Sequence, residues 1–222
     1  MIVRVASICQ AAVGRDATFV VTDDDRIATV CRENNIQYII THGNFDTGTD
    51  RIASVIGQIP GDIFLNVQGD EPCISPKDIQ AAIETKIANP QSVINGYCLV
   101  ELQPDIKNFS IPKVVISNTG KLLYISRANI PANHKATNTG LPQQYLRQVC
   151  IYAYSREELL AFQKVGGRGH LEAQEDIEII RFLEIGMNVQ MTPMSYSIAV
   201  DYPEDIIKVS QFITAENKLE KK

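Results

Sequence analysis

The sequence has little that would hold a polyanion or a membrane. Its 222 residues carry 21 basic against 26 acidic side chains, a formal charge of −5 with a pI near 5.3. That sign argues against a surface built for phosphate backbones or anionic lipid, so neither nucleic acid nor a membrane is an expected partner. No apolar run reaches the roughly 18 residues needed to cross a bilayer, and the first residues lack the charged-then-apolar order of a secretory signal. The five cysteines, Cys9, Cys31, Cys73, Cys98 and Cys150, stand singly with no C-x-x-C pair. Neither a zinc site nor a disulfide framework is indicated, and a cytoplasmic location fits best. The three histidines, His42, His134 and His170, have no spacing that suggests a metal or a triad, which argues against histidine catalysis. Internal repeats and low-complexity segments are also absent.

What is present is a chain with 45% hydrophobic residues, enough for one sizeable core. The expected organisation is a single domain over residues 1–222 with a hairpin and loop insertion at about 103–148. Apolar spacing predicts a helix over Met1 to Ala12, a short strand at Thr18 to Val21, a helix around Ile27 to Cys31 and a strand at Tyr38 to Thr41. A helix over Asp50 to Ile59 and a buried strand at Asp62 to Val67 continue the alternation. Pro76 opens a helix to about Ala88, and Ser92 to Leu102 is again extended. The pattern then breaks into a hairpin, Lys113 to Ser117 and Lys121 to Ser126 around Asn118-Thr119-Gly120, followed by the polar stretch Ala132 to Gln144, read as a mobile loop. A strand at Ile151 to Ser155, a long acidic helix at Leu171 to Ile185, a strand at Val189 to Thr192 and a last helix opened by Pro203 complete the chain; Lys218 to Lys222 reads as a frayed tail. The fold class is therefore α/β, a mostly parallel Rossmann-like sheet flanked by helices, with a β-hairpin lobe.

In open parallel sheets ligands bind beyond the carboxyl ends of the strands. The turn Gln68-Gly69-Asp70-Glu71-Pro72 stands at such an end, and Asp201 stands at another strand-to-helix junction. Two such carboxylates suit Mg²⁺, which is usually held by one or two carboxylates together with substrate phosphates. The alternative, that Asp70 caps a turn and Asp201 a helix, is equally open on these grounds. Thr47, Gly48, Thr49 and Arg51 offer hydroxyls, helix-start N–H groups and a guanidinium that suit a nucleotide or an anion; helix capping by Thr47 or Thr49 with a solvated Arg51 explains them as well. Ser126-Arg127, and Arg147 with Gln148, could bind an acidic sugar or form surface ion pairs. Glu172, Glu175 and Glu178 recur on one side of the acidic helix and ordinarily read as a solvated face.

In order along nearly the whole chain, TGTDRIA (Thr47 to Ala53), NVQGDEP (Asn66 to Pro72), LYISRANIP (Leu123 to Pro131), IYAY (Ile151 to Tyr154), the glutamate pattern from Leu171 to Arg181 and VDYPEDI (Val200 to Ile206) resemble 3-deoxy-manno-octulosonate cytidylyltransferase, or CMP-Kdo synthetase. The resemblance implies transfer of CMP from CTP to the anomeric hydroxyl of an acidic eight-carbon sugar, with release of pyrophosphate, in a homodimer. It implies that Asp70 and Asp201 hold Mg²⁺ and that Gln68 and the Thr47 to Arg51 loop contact nucleotide and sugar. Asp70, Arg51 and Gln68 carry the chemistry in this reading, and Arg127, Gln148, Tyr152 and Glu178 line the sugar pocket.

Three departures from the family stand out. The family begins with a β-strand and a loop rich in Arg, Ser, Gly and Lys that wraps the triphosphate, whereas this sequence starts after both, at Met1-Ile2-Val3. That strand normally lies between the strand at Thr18 to Val21 and the one at Ile63 to Val67, so an opened sheet and weak turnover are expected. Gln148 replaces the family's His, and Ile179 replaces a Gln, which is compatible with another acidic sugar. A degenerate enzyme that only binds and dimerises is the other reading.

Overall fold

The computed structural model describes residues 1–101, 103–132 and 144–219; most of the expected loop from Ala132 to Gln144 lies outside them. Helix α1 (Ile2–Val13) leads to β1 (Phe19–Thr22), α2 (Asp25–Glu33) and β2 (Gln37–Ile40), and β1 and β2 form a parallel pair. Helix α3 (Gly48–Val55) ends in a 3₁₀ turn at Ile56–Gln58 and is followed by β3 (Ile63–Val67), α4 (Pro76–Ala88) and β4 (Ser92–Leu99). The short α5 (Gln103–Ile106) precedes the hairpin β5 (Lys113–Ile116) and β6 (Leu122–Ser126). Then come β7 (Leu146–Ser155), α6 (Arg156–Lys164), α7 (His170–Glu175), α8 (Ile180–Glu184), β8 (Asn188–Pro193) and α9 (Asp205–Leu219). The expected tail therefore continues the last helix through Leu219.

Side-chain caps set several of these boundaries. Thr47 accepts from the Asp50 N–H, Ser75 accepts from the Lys77 N–H ahead of Pro76, and Ser155 and Glu158 form a reciprocal capping box. Each satisfies an N–H that the helix itself leaves unbonded.

The α/β class with flanking helices is as expected, but the large sheet is mixed rather than mostly parallel. It runs β6-β5-β7-β4-β8 with β3 beside β7. β4 and β8 are parallel, while β7 runs against β3, β4 and β5. The hairpin is thus a continuation of the sheet through β5 rather than a detached lobe. β7 is the centre of the core because it is apolar on both faces, as a strand covered on both sides requires. With a period of two, Val149, Ile151 and Ala153 pack towards Val5, Ile79 and Ala82 of α1 and α4. Tyr152 and Tyr154 face the other way, where Tyr154 stacks on Phe182 at 5.3 Å between ring centres.

Two corrections concern the acidic helix. It is broken: Asp176 ends α7 in the left-handed conformation, φ 52°, and α8 starts only at Ile180. Its glutamates do not form a solvated face, since Glu172 and Glu178 are buried and Glu175 accepts from Ser126 Oγ at 2.6 Å. Glu172 turns inward because Arg181, also fully buried, needs carboxylates: its guanidinium meets Glu172 at 2.6 and 2.7 Å and Asp50 at 2.7 and 3.1 Å.

The sheet is open where the family resemblance implied. Among the described residues β1 pairs only with β2 and β3 only with β7, and a cleft of about 720 Å³ separates β1 from β3.

Candidate functional site

The turn after the carboxyl end of β3, the amino-terminal part of β7 and the start of α3 converge on one cleft of about 560 Å³. Helix α3 begins there because Thr47 caps it. The Thr47 hydroxyl accepts from the Asp50 N–H at 3.1 Å and lies 2.8 Å from the Asp50 carboxylate. Glu178, on the turn between α7 and α8, ties the parts together: it accepts from the Thr49 N–H at 3.0 Å and from Gln68 Nε2 at 3.3 Å. Burial pushes the Glu178 carboxyl above its ordinary range, with those hydrogen bonds opposing the shift.

Thr47, Gly48 and Gln68 line this cleft together with Arg127, Gln148, Tyr152, Glu178 and Asp201. Thr49 does not present its side chain to it; the residue is fully buried, with its hydroxyl 3.0 Å from Tyr154 Oη. Arg51 also turns away. Its guanidinium donates to Thr41 Oγ1 at 2.8 Å and pairs with Asp23 at 2.9 Å, so it faces the cleft between β1 and β3. Asp70 faces that second cleft as well, which Gly48 and Gln68 share with the first.

Asp70 and Asp201 are brought together by the backbone, the Val200 N–H donating to the Asp70 carbonyl at 2.9 Å. Desolvation raises the Asp70 carboxyl, its own backbone hydrogen bond lowers it, and the charge of Asp201 adds to the rise. Asp70 Oδ1 is buried with no hydrogen-bond partner among the described residues, which leaves a carboxylate oxygen able to ligate a cation. The pair fits a sparse magnesium site. Among the described residues no group of three or more acidic, His or Cys side chains could hold a metal.

The sugar-side residues form a fixed polar wall. Asn95 sits at a bulge in β4 and donates through Nδ2 to the carbonyls of Val149 and Ile151, both at 3.1 Å, filling the gap the bulge leaves in the ladder. Its Oδ1 must then accept, and Gln148 Nε2 donates to it at 2.9 Å and to Tyr152 Oη at 3.3 Å. Gly96, beside the bulge, can carry no side chain, because a Cβ there would strike Met194 and lie 3.1 Å from Val149 Cβ. Arg127 donates to the carbonyls of Glu175 at 2.7 Å, Asp176 at 2.8 Å and Phe109 at 3.1 Å, so its cation is held in place by backbone oxygens. Ile179 packs fully buried in the core and does not reach the cleft.

Sequence reasoning did not single out Asn95, Glu71 or Arg181. Glu71 is buried next to Asp70 and accepts from Ser197 Oγ at 2.7 Å; its place in the GDEP turn was the available signal. For Arg181 there was no such signal, because its partners Glu172 and Asp50 meet it only in the folded chain.

Residues 1–189 match the cytidylyltransferase family. The chain is 34% identical over 204 residues to a 3-deoxy-manno-octulosonate cytidylyltransferase of Protochlamydia amoebophila, covering 89% of this chain and 78% of that protein. It is 34% identical over 224 residues to the enzyme of the same name from Herminiimonas arsenicoxydans, covering 96% and 88%. The solved CMP:2-keto-3-deoxy-manno-octonic acid synthetase in complex with CTP superposes with a TM-score of 0.87 at 28% identity, covering 97% of this chain and 88% of that one. An inositol-1-phosphate CTP transferase from T. maritima superposes with a TM-score of 0.66 at 13% identity, which shows a shared fold.

Proposed function

Because this chain belongs to the cytidylyltransferase family, we propose that its cleft transfers CMP from CTP to the anomeric hydroxyl of Kdo. The anomeric hydroxyl gives up its proton to solvent as its oxygen bonds to the α-phosphorus, and the bond from that phosphorus to the pyrophosphate oxygen breaks. Such transfers depend on positioning and charge neutralisation more than on a covalent nucleophile, and burial keeps the thiol of Cys150 on the cleft wall protonated.

The start of α3 and Gln68 hold the nucleotide, with the Gly48 N–H at the positive end of the helix. Arg51, anchored to Asp23 and Thr41, sets the position of that helix rather than reaching the sugar side. Arg127, Gln148, Tyr152 and Glu178 hold the sugar. Glu178 serves both sides, since one carboxylate oxygen fixes the α3 backbone and the other fixes Gln68.

Asp70 and Asp201 would hold Mg²⁺, and the orphaned Asp70 Oδ1 is the observation that supports this. The ion, when bound, neutralises charge on the triphosphate and on the departing pyrophosphate. A homodimer in the cytoplasm completes the reading, on the strength of the resemblance and of the composition.

The observation that carries the reading is the Glu178 bridge between the capped start of α3 and Gln68 at the mouth of a cleft ringed by sugar-binding residue types. Its test is ³¹P NMR of the protein with CTP, Mg²⁺ and Kdo. The expected result is a CMP-sugar signal that grows with pyrophosphate and needs both sugar and Mg²⁺. Neither CTP binding nor turnover with any 2-keto sugar acid would overturn it. Gln148, a neutral amide on the sugar wall, favours including a sialic-acid-like sugar in the same assay as the second reading.

A further inference from the structure

The 560 Å³ cleft is a hostile place for an acid. Among the described residues five carboxylates line it, those of Asp46, Glu172, Asp176, Glu178 and Asp201, against two cations, Arg127 and Arg168. Both arginines are anchored on neutral acceptors. Arg127 donates to the carbonyls of Phe109, Glu175 and Asp176, and Arg168 Nη2 donates to the Asp46 carbonyl at 2.9 Å. Such bonds fix a guanidinium without cancelling its charge. The carboxylate that stands between the two is Asp176: Arg168 Nη1 meets its Oδ1 at 2.6 Å, and Arg127 Nη2 lies 3.7 Å from its Oδ2. The backbone places both partners. Asp176 closes α7 in the left-handed conformation, its N–H bonded to the Glu172 carbonyl at 2.8 Å. Gly166 and Gly167, at φ 75° and 151°, turn the chain after α6 so that Arg168 comes back to the cleft.

We propose that Arg168 is a specificity-determining residue: the carboxylate of the sugar acid binds between Arg127 and Arg168, in exchange for the carboxylate of Asp176, which swings out to water. A carboxylate between two guanidinium groups on a cleft wall is the arrangement that a bound acid would make. The exchange is easy, because the Asp176 side chain is 64% exposed and an ion pair at such a site contributes little. Asp176 is then an internal competitor. A neutral sugar brings nothing to replace it and leaves the pair closed, whereas a sugar acid opens it, so the same contact both welcomes the right substrate and resists the wrong one.

This inference rests on the reading of the cleft as a sugar site, and binding measured apart from turnover separates the two. Kdo would be titrated by calorimetry with Mg²⁺ and α,β-methylene CTP, which cannot transfer CMP, into the chain and its Arg168→Gln and Asp176→Asn variants. Gln keeps a donor for the Asp46 carbonyl, and Asn tolerates the left-handed backbone at 176. Arg168→Gln is expected to weaken Kdo binding by about tenfold or more, the scale of a lost charged hydrogen bond. Asp176→Asn is expected to tighten it by about twofold to fivefold, the scale of an exposed ion pair. Affinity for the CTP analogue should stay unchanged in both, which also reports an intact fold. If Asp176 merely braced the two arginines, its substitution would weaken Kdo binding instead. That result would overturn the proposal, as would unchanged Kdo binding in either variant, an equal loss of Kdo and nucleotide in Arg168→Gln, or no Kdo binding by any form. Pyrophosphate release from CTP and Kdo would in those cases still uphold the transfer reaction. The expected shifts without any release would keep the carboxylate site and sink the reaction.

Discussion

The Val200 N–H donates to the Asp70 carbonyl at 2.9 Å, and this one backbone bond sets Asp201 beside Asp70 from opposite ends of the chain. If that tether orders a magnesium site, removing its donor weakens the ion without touching either carboxylate. Val200→Pro is expected to lower Mn²⁺ affinity by roughly tenfold, the usual cost of losing an orienting partner, as read by electron paramagnetic resonance titration. Unchanged affinity would mean that the tether orients nothing.

Glu178 couples stability to pH. Its buried carboxyl titrates above the ordinary 4.5, so the unfolded chain ionises first and the native state retains the proton longer. Stability from this group is therefore highest below the unfolded value, falls as pH rises through the window up to the raised native value, and stays low above it. Glu178→Gln is expected to raise the melting temperature at pH 8, to leave it unchanged at about pH 4, and to weaken sugar binding. Calorimetry at the two pH values with a sugar titration checks all three, and a lower melting temperature at pH 8 would contradict the burial argument.

Arg181 fixes α3 against α7. Truncating it leaves Glu172 buried without its cation, so Arg181→Met is expected to cost about 3–5 kcal/mol in urea unfolding. Arg181→Lys should recover only part of this, since an ammonium cannot span both carboxylates as the planar fork does.

Gln148 is the donor that Asn95 Oδ1 requires. Gln148→Leu leaves that buried oxygen unpaired, an expected loss of about 1–3 kcal/mol, and it should raise the KM for the sugar more than that for CTP. Equal effects on both substrates would place Gln148 outside the sugar wall.

Much of this architecture was legible in the residues. Helix starts at Thr47 and Pro76, the buried β3 run and the Gly-Asp turn beyond it announce themselves through capping chemistry and apolar spacing. Strand direction does not: an apolar run such as Val149 to Tyr154 reads the same parallel or antiparallel, so the reversal of β7 was hidden. The acidic helix misled because its spacing is that of a solvated face, and only the burial of Arg181 turns Glu172 inward. Arg51 lies on the same cleft as Asp70, Gly48 and Gln68, but its contacts with Asp23 and Thr41 are not announced by its neighbours in sequence. Asn95 gave no signal, because the bulge that makes its amide necessary exists only once β4 and β7 pair.

The most direct test of cytidylyl transfer at the Asp70 and Asp201 pair is pyrophosphate release from CTP with Kdo and Mg²⁺. It would be measured on the chain itself and on its Asp70→Asn and Asp201→Asn variants. The prediction is sugar-dependent release that drops by roughly 100-fold or more in each variant. Release that is undiminished in both variants, or that proceeds equally without Mg²⁺, would contradict it.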